Sequence, residues 1–527
     1  MRPAFAAGAA MKRWEMACAL LGVILLFLGV RWIRYEDWGA LQQRDFVLDE
    51  GGCRIPLTVI EPQDPVGPRG TVLVFHGLAA NRRIMFFLSK RIVRGGYRVY
   101  VPELPGHGDN SDSFSFGGAQ HCAEVLLESL TRSSRINPKT TVLVGHSMGA
   151  AIAIRMADRE PVAATIAISP GPTPLPQRMP ANLLVFSAQY DIGLLKRQAE
   201  RLQQAAEGIR TSPEDFIQHR AFDLQFMPRS THTSLIFDTR VTDSAVKWMD
   251  AAVGPEPSMD GKVGWTLVWA WHSLHPGVLG GTVAGFIGLV LLFPFCATAT
   301  TRFARLTRTE SDDPHPSRAL ALAEGTACAF AGVLILMLGT PLKFLHIYTG
   351  DYLASLLLIV GALLLLLNWK IAKANFSISI AQKLAAIFLG LATILAFGAW
   401  LNWQLDDAWL NAPRWLRFAA LLPILWIFCY AEEVMLGPVG SGKRRAFRFA
   451  IFLLLRLELW TACAVAAYSL ASGQILLVIL FTFLLAFSIL QRLATDALRA
   501  RTGSAPAAAL FSAILAAWFI AAVFPLT

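Results

Sequence analysis

Residues 141–153 read TVLVGHSMGAAIA: an apolar run enters Gly145-His146-Ser147-Met148-Gly149 and leaves through small residues suited to a helix. A serine hydroxyl is a poor nucleophile at neutral pH, so it must be presented on a strained turn beside a base. Gly145 and Gly149, two positions to either side of Ser147, let strand and helix approach closely enough to make that turn. The bare pentapeptide arises by chance in a chain with 40 glycines, so its strand-turn-helix setting carries the weight. Two more reactive side chains follow apolar runs downstream: Asp191 after NLLVFSAQY and His232 after AFDLQFMPRST. Each has a plainer reading. Ser147 suits any tight turn, Asp191 suits an N-cap before IGLLKRQAERL, and His232 suits a surface loop. His76, His107 and His146 are expected to shape loops, Asp109 and Asp112 to be solvated, and Asp238 to sit in the last helix in an ion pair.

The elements that must position these residues alternate over residues 40–255. A β-hairpin at 44–61 precedes TVLVF (71–75), which leads into His76-Gly77-Leu78 and a helix near 82–94. Then come YRVYVPE (97–103), a helix near 118–132, the elbow strand, VAATIAIS (162–169), NLLVFSA (182–188) and AFDLQFM (221–227). Such alternation predicts a mainly parallel sheet with helices on both faces. Ligands bind at the carboxyl ends of such strands, where Ser147, Asp191 and His232 all fall. Serine, then acid, then histidine is the order of the α/β-hydrolase fold and not that of trypsin-like or subtilisin-like enzymes.

With VFHGLAANR (74–82), VPELPGHGDNSDS (101–113), VGHSMGA (144–150), SAQYD (187–191) and STHTSL (230–235), the chain resembles α/β-hydrolases of the monoglyceride lipase and serine aminopeptidase type over about residues 45–252. The resemblance implies Ser147 as nucleophile, His232 as general base and then acid, and Asp191 as the group orienting the imidazole. It implies an oxyanion hole from the backbone N–H groups of Leu78 and Met148, with Gly145, Gly149, His76 and Gly77 supporting the loops. Losing one such donor typically costs about 10²- to 10³-fold in rate. Lipases of this type usually insert a lid of several helices where this chain has only PGPTPLPQRMPA, between Ser169 and Asn182. An apolar acyl chain then needs another wall, which the membrane surface or the C-terminal domain would supply.

Overall 54% of residues are hydrophobic and 16% charged, against about 25% charged in soluble domains. The deficit sits after residue 262, in uncharged stretches long enough to cross a hydrocarbon core, which takes about 20 helical residues. The expected organisation is a cytoplasmic N-terminus (1–15), an uncleaved membrane anchor (16–33), an α/β-hydrolase domain (40–255) and a multi-span membrane domain (264–527) of about eight helices. The net charge of +10 suggests nucleic acid only until its distribution is read. With nine spans, Arg302, Arg305, Arg308, Arg318, Lys370, Lys373, Lys383, Lys443, Arg444, Arg445, Arg448, Arg492, Arg499 and Arg501 fall in cytoplasmic segments. Only Lys343, Arg414 and Arg417 fall in outer loops. The hydrolase segment then faces away from the cytoplasm, and a bacterial inner membrane with a periplasmic catalytic domain is the expected site.

No C-x-x-C spacing occurs, and Cys53 and Cys122 of the hydrolase segment are equally readable as a disulfide or as two buried thiols. His272 and His275, near Trp265, Trp269 and Trp271, suit an interfacial belt better than a metal, and no metal or cofactor is expected. Glu432, Glu433, Arg456 and Glu458 lie within or beside spans, where charges are costly and usually paired. YAEEVMLG (430–437) and LRARTGSAPAAALFSAILAAWF (498–519) faintly resemble the CAAX-protease and bacteriocin-processing family. That family has an arginine where Gly437 stands, and later histidines; this chain has none after His346. The expected protein is a membrane-bound serine hydrolase of carboxylic esters derived from lipids. A peptidase or acyltransferase with the same three residues, or a non-enzymatic receptor or transport component, is the alternative. The expected partners are an ester or lipid substrate and the bilayer, without nucleic acid; protein partners are not assigned.

Overall fold

The computed structural model describes residues 12–37, 41–63, 67–206, 211–254, 277–306, 313–404, 408–469 and 474–527. Trp265, Trp269, Trp271, His272 and His275 lie outside the described residues. The chain divides into two compact units, one of residues 28–283, 401–408 and 525–527, the other of residues 1–27, 284–400 and 409–524.

The first unit is built on an eight-stranded sheet. Its strands are β1 (Leu41–Glu50), β2 (Cys53–Pro62), β3 (Thr71–Phe75), β4 (Arg98–Pro102), β5 (Thr141–His146), β6 (Ala164–Ile168), β7 (Leu183–Ala188) and β8 (Phe222–Met227), in the order β1-β2-β4-β3-β5-β6-β7-β8. Strand β2 runs antiparallel to β1 and β4, and the remaining pairings are parallel. The helices are α2 (Phe86–Arg94), α3 (Phe116–Arg132), α4 (Met148–Arg159), α5 (Gly193–Ala205) and α7 (Thr239–Val253), with a short α6 (Pro213–Ile217). β3, β5, β6 and β7 are buried along their whole length, which is why they read as unbroken apolar runs rather than alternating ones. The period-2 pleat still sorts their side chains. Val72, Val74, Val142 and Val144 pack with Leu88 and Ile92 of α2 and Val241 and Met249 of α7. Ala167, Leu183 and Val185 pack on the opposite face with Ile154 of α4 and Leu202 of α5. The sequence placed the hairpin, all later strands and the larger helices, with ends shifted by at most four residues. Between β6 and β7 residues 169–182 contain neither helix nor strand, so the cap is absent, as the short insertion predicts.

Two open points resolve in this unit. Cys53 at the start of β2 and Cys122 in α3 form a disulfide across a sequence separation of 69 residues. Asp238 is one position short of the last helix: it is the N-cap of α7, accepting the Arg240 N–H at 2.9 Å while pairing with the Arg240 guanidinium at 2.6 Å. Asp109 is engaged rather than merely solvated, because Arg82 holds it at 2.8 Å, and Asp112 accepts the Arg54 N–H at 3.1 Å.

Among the described residues nine helices are long and apolar enough to cross a membrane, from Arg13–Arg34 to Ala505–Val523. Where the first of these meets the next, a Cβ on Gly22 would lie 2.7 Å from the Gly288 carbonyl oxygen, and one on Gly288 would lie 2.7 Å from that of Gly22. Only small residues permit that backbone approach, the device by which apolar helices associate without a hydrophobic drive. The second unit also buries a charge network. Arg448 meets Glu433 at 3.0 Å and Asp496 at 3.2 Å. Arg492 meets Glu433 and Asp496 at 2.6 Å each, Arg456 meets Glu432 at 2.9 Å, and Arg499 pairs with Asp313. Glu432, Glu433 and Arg456 are therefore ion-paired, whereas Glu458 stands outside the network. Three charges expected in loops are relocated by these pairings. Arg448 lies in the helix Lys443–Tyr468, and Arg492 and Arg499 in Phe481–Thr502, all three buried. Arg414, expected in an outer loop, is buried in Ala412–Leu436 and donates to the carbonyl oxygens of Ala522 and Phe524 at 3.1 Å. Carboxylates and free helix-end carbonyls offset part of the hydration that buried guanidinium groups lose, and counting charges along a chain does not register such partners.

Candidate active site

The elbow forms because β5 ends in two residues, Gly145 and His146, that lead straight into α4. Ser147 adopts φ 56° and ψ −115°, a conformation costly for a residue with a side chain. A Cβ on Gly145 would come within 2.1 Å of the Gly149 carbonyl oxygen, and one on Gly149 within 2.3 Å of that of Phe75, so both glycines are steric requirements of the turn. The turn is pinned by the Ser147 N–H donating to the Ile168 carbonyl at 2.9 Å, and by the Gly171 N–H donating to the Ser147 carbonyl at 2.9 Å. The Ser147 hydroxyl itself makes no hydrogen bond to the described residues, and the side chain is partly exposed. It is thus presented rather than stored.

Asp191 follows β7 and His232 follows β8, and the two side chains meet: His232 Nδ1 lies 3.3 Å from Asp191 Oδ1. Asp191 does not cap the following helix, whose N-cap is Ile192; its Oδ1 also accepts the adjacent Ile192 N–H, at 3.0 Å. Burial raises the Asp191 carboxyl, but hydrogen bonds from His232 and Ser169 and the charge of His232 outweigh it and hold the group below the ordinary carboxylate range. Sequence reasoning missed Ser169. It ends β6 with φ 45°, is buried, hydrogen-bonds Asp191 Oδ2, and lies 2.9 Å from His232 Nδ1. The shorter contact of the imidazole nitrogen is therefore to the serine hydroxyl, and the serine bridges it to the carboxylate.

His146 forms the floor of this cluster. Its Nε2 lies 3.0 Å from the His232 carbonyl oxygen, and the two rings are 4.7 Å apart. Complete burial, then the neighbouring His232, pushes the His146 imidazole down to about 3, so it is neutral and donates through Nε2 to that carbonyl. His76 is likewise structural. Its Nδ1 is 2.9 Å from the Gly77 carbonyl and its Nε2 accepts the Leu104 N–H at 3.0 Å, with Glu103 3.3 Å away. Glu103 in turn accepts the Arg82 N–H at 3.0 Å, and His107 Nε2 accepts the Ala79 N–H at 3.3 Å. These buried groups tie the loop after β3 to the loop after β4, and so fix Gly77 and Leu78 beside the elbow. Gly77 leaves room there for His146 Nδ1, 3.0 Å from where its Cβ would stand. The N–H groups of Leu78 and of Met148, the first residue of α4, have no hydrogen-bond partner among the described residues. A helix N-terminus with a free N–H is a place where negative charge is stabilised.

No group of three or more His, Cys, Asp or Glu able to hold a metal occurs among the described residues. The arrangement offers an exposed hydroxyl on a strained turn, a neutral-capable imidazole held by a carboxylate, and free backbone donors, the parts that nucleophilic acyl transfer uses.

Parts of this chain are similar to several known proteins. A lidless serine hydrolase from Xanthomonas campestris is 18% identical, covering 40% of this chain and 94% of its own, with a TM-score of 0.33. An esterase from Pyrobaculum calidifontis is 16% identical over 46% of this chain and 93% of its own, TM-score 0.33. An S-formylglutathione hydrolase from Agrobacterium tumefaciens is 15% identical over 41% of this chain and 96% of its own, TM-score 0.33. The 30 kDa subunit of magnesium chelatase from Rhodobacter capsulatus is 34% identical over 116 residues, 21% of this chain. This chain spans only 37% of that relative's length. The alpha/beta hydrolase family matches residues 72–518, and with the strand order, the elbow and the strand-end residues already described, the chain belongs to the alpha/beta hydrolase family.

Proposed function

We propose that this hydrolase is a membrane-bound serine esterase that cleaves carboxylic esters, lipid-derived ones foremost, through an acyl-enzyme on Ser147. The observation that carries the reading is that Ser147, Asp191 and His232 follow β5, β7 and β8 of one sheet, with His232 against Asp191 and with two N–H groups beside the nucleophile that have no partner among the described residues. His232 takes the Ser147 proton as Oγ attacks the ester carbonyl carbon. Asp191 and Ser169 stabilise the resulting imidazolium, and the oxyanion lies between the Leu78 and Met148 N–H groups. Collapse expels the alcohol, which takes the proton from His232; water then repeats the sequence in reverse to release the acid. Apo geometry with a free Ser147 hydroxyl is compatible with this, since such hydrogen bonds tighten only when substrate binds.

Two features support placement in a membrane with the hydrolase unit outside the cytoplasm. Nine long apolar helices fit a multi-pass protein. The Cys53–Cys122 disulfide fits an oxidising compartment such as the periplasm. The missing cap supports an acyl chain met at a lipid surface. Turnover of p-nitrophenyl butyrate and palmitate by the detergent-purified full chain, compared with Ser147→Ala, tests the esterase reading. Hydrolysis that survives the substitution contradicts it. A periplasm-dependent reporter inserted between residues 255 and 262 tests the orientation, and activity only in the cytoplasm overturns it.

A further inference from the structure

We infer that the helical unit carries a lipid-binding site of its own, which takes the neutral carbonyl end of an acyl ester. A cavity of about 40 Å³ lies among its helices, walled by Leu357, Phe487, Phe519 and Ile520 and reached by Arg456 and Trp460. Arg456 and Trp460 stand four apart on the helix Lys443–Tyr468, on one face, and are each more than nine-tenths buried. Arg456 Nε and Trp460 Nε1 are both buried without a hydrogen-bond partner. Two orphaned N–H donors on residues that line one apolar cavity are costly unless an acceptor enters it.

The charge balance selects the acceptor. Arg456 meets Glu432 at 2.9 Å, and its guanidinium lies 4.9 Å from the Phe428 ring centre and 5.3 Å from that of Phe452. Arg448, Arg456, Arg492 and Arg499 are matched by Glu432, Glu433, Asp496 and Asp313. A carboxylate or phosphate entering here would be an uncompensated buried charge. A carbonyl oxygen takes both N–H groups at no such cost. The volume holds about three water-sized groups, which fits a carbonyl with its neighbouring atoms while the rest of the chain lies along the apolar wall. The site does not depend on the hydrolase reading, since none of its residues belongs to that unit.

The test uses the full chain carrying Ser147→Ala, so that a probe ester is not consumed. The probe is a fatty acid methyl ester with a diazirine close to the carbonyl. Competitors are methyl palmitate and the hexadecyl methyl ether that lacks the carbonyl. The expected result is saturable labelling of peptides from 443–468 and 481–502, competed by the ester and not by the ether. Trp460→Phe, which keeps the volume and removes one donor, lowers labelling about two- to tenfold, and Ala516→Leu, which fills the cavity, abolishes it. Arg456 is left intact because its loss strands Glu432; gel filtration of both variants confirms folding. Equal competition by the ether, undiminished labelling of Trp460→Phe, or label spread evenly over the apolar helices overturns the proposal.

Discussion

Replacing Ser169 by alanine should slow the chemical step while leaving substrate binding alone. The Ser169 hydroxyl donates to Asp191 Oδ2 and sits 2.9 Å from His232 Nδ1 in a site where all three side chains are buried. A hydrogen bond to a charged group contributes about 1.5–3 kcal/mol. That contribution matters most when His232 carries the Ser147 proton and its charge is felt by Asp191. At about 1.4 kcal/mol per tenfold in rate, kcat should fall about 10- to 150-fold with KM nearly unchanged. The pH profile gives a second signature. Asp191 is held low partly by Ser169, so without that donor burial acts less opposed, and the acidic limb should move to higher pH. Ser169→Gly, which suits the φ of 45° but also lacks the hydroxyl, should be slowed as much as Ser169→Ala. Initial rates on a p-nitrophenyl ester from pH 4 to pH 9 read all three effects. A Ser169→Ala enzyme within twofold of wild type, with an unmoved acidic limb, would refute the bridging role.

His146 predicts an acid-labile fold. Its imidazole is depressed from 6.5 to about 3 by burial, so the folded state refuses a proton that the unfolded chain accepts. The associated stability is complete above pH 6.5 and is lost as pH falls toward 3, amounting to about 2 kcal/mol by pH 5. Thermal scans of His146→Gln should show a flatter decline between pH 6.5 and pH 5 than wild type, and equal slopes would contradict the assignment. The Cys53–Cys122 bridge closes 69 residues, for which chain entropy gives about 4 kcal/mol, so a Cys53→Ser, Cys122→Ser double variant should show a hydrolase unit that unfolds markedly earlier. Unchanged unfolding on reduction of the wild type would show that the bridge is not formed. Gly149→Ala drives a Cβ to 2.3 Å from the Phe75 carbonyl, and the purified variant should lose ester hydrolysis even where it folds.

The parts of the site legible in the sequence are those that local sterics encode. The elbow needs two glycines at fixed spacing, and buried parallel strands need unbroken apolar runs, so Ser147, Asp191 and His232 could be read from what precedes them. Ser169 was not legible because a serine after a strand is ordinary, and its role arises from three strand ends meeting in space. A non-glycine φ of 45° leaves no trace in the sequence either. The disulfide was equally undecidable, since nothing local brings β2 against α3. In the helical unit the apolar runs were legible as long helices. Arg448, Arg492 and Arg499 read as loop charges because the carboxylates Glu433, which meets Arg448 and Arg492, and Asp313, which meets Arg499, come from other parts of the chain.

The central claim is that Ser147 is a nucleophile activated by His232. A fluorophosphonate probe applied to the detergent-purified full chain measures that reactivity directly, with the modified residue located by mass spectrometry. The account predicts stoichiometric labelling on Ser147, none in Ser147→Ala, and strongly slowed labelling in His232→Ala. Well-folded wild type that does not label, or that labels at another residue, would contradict it.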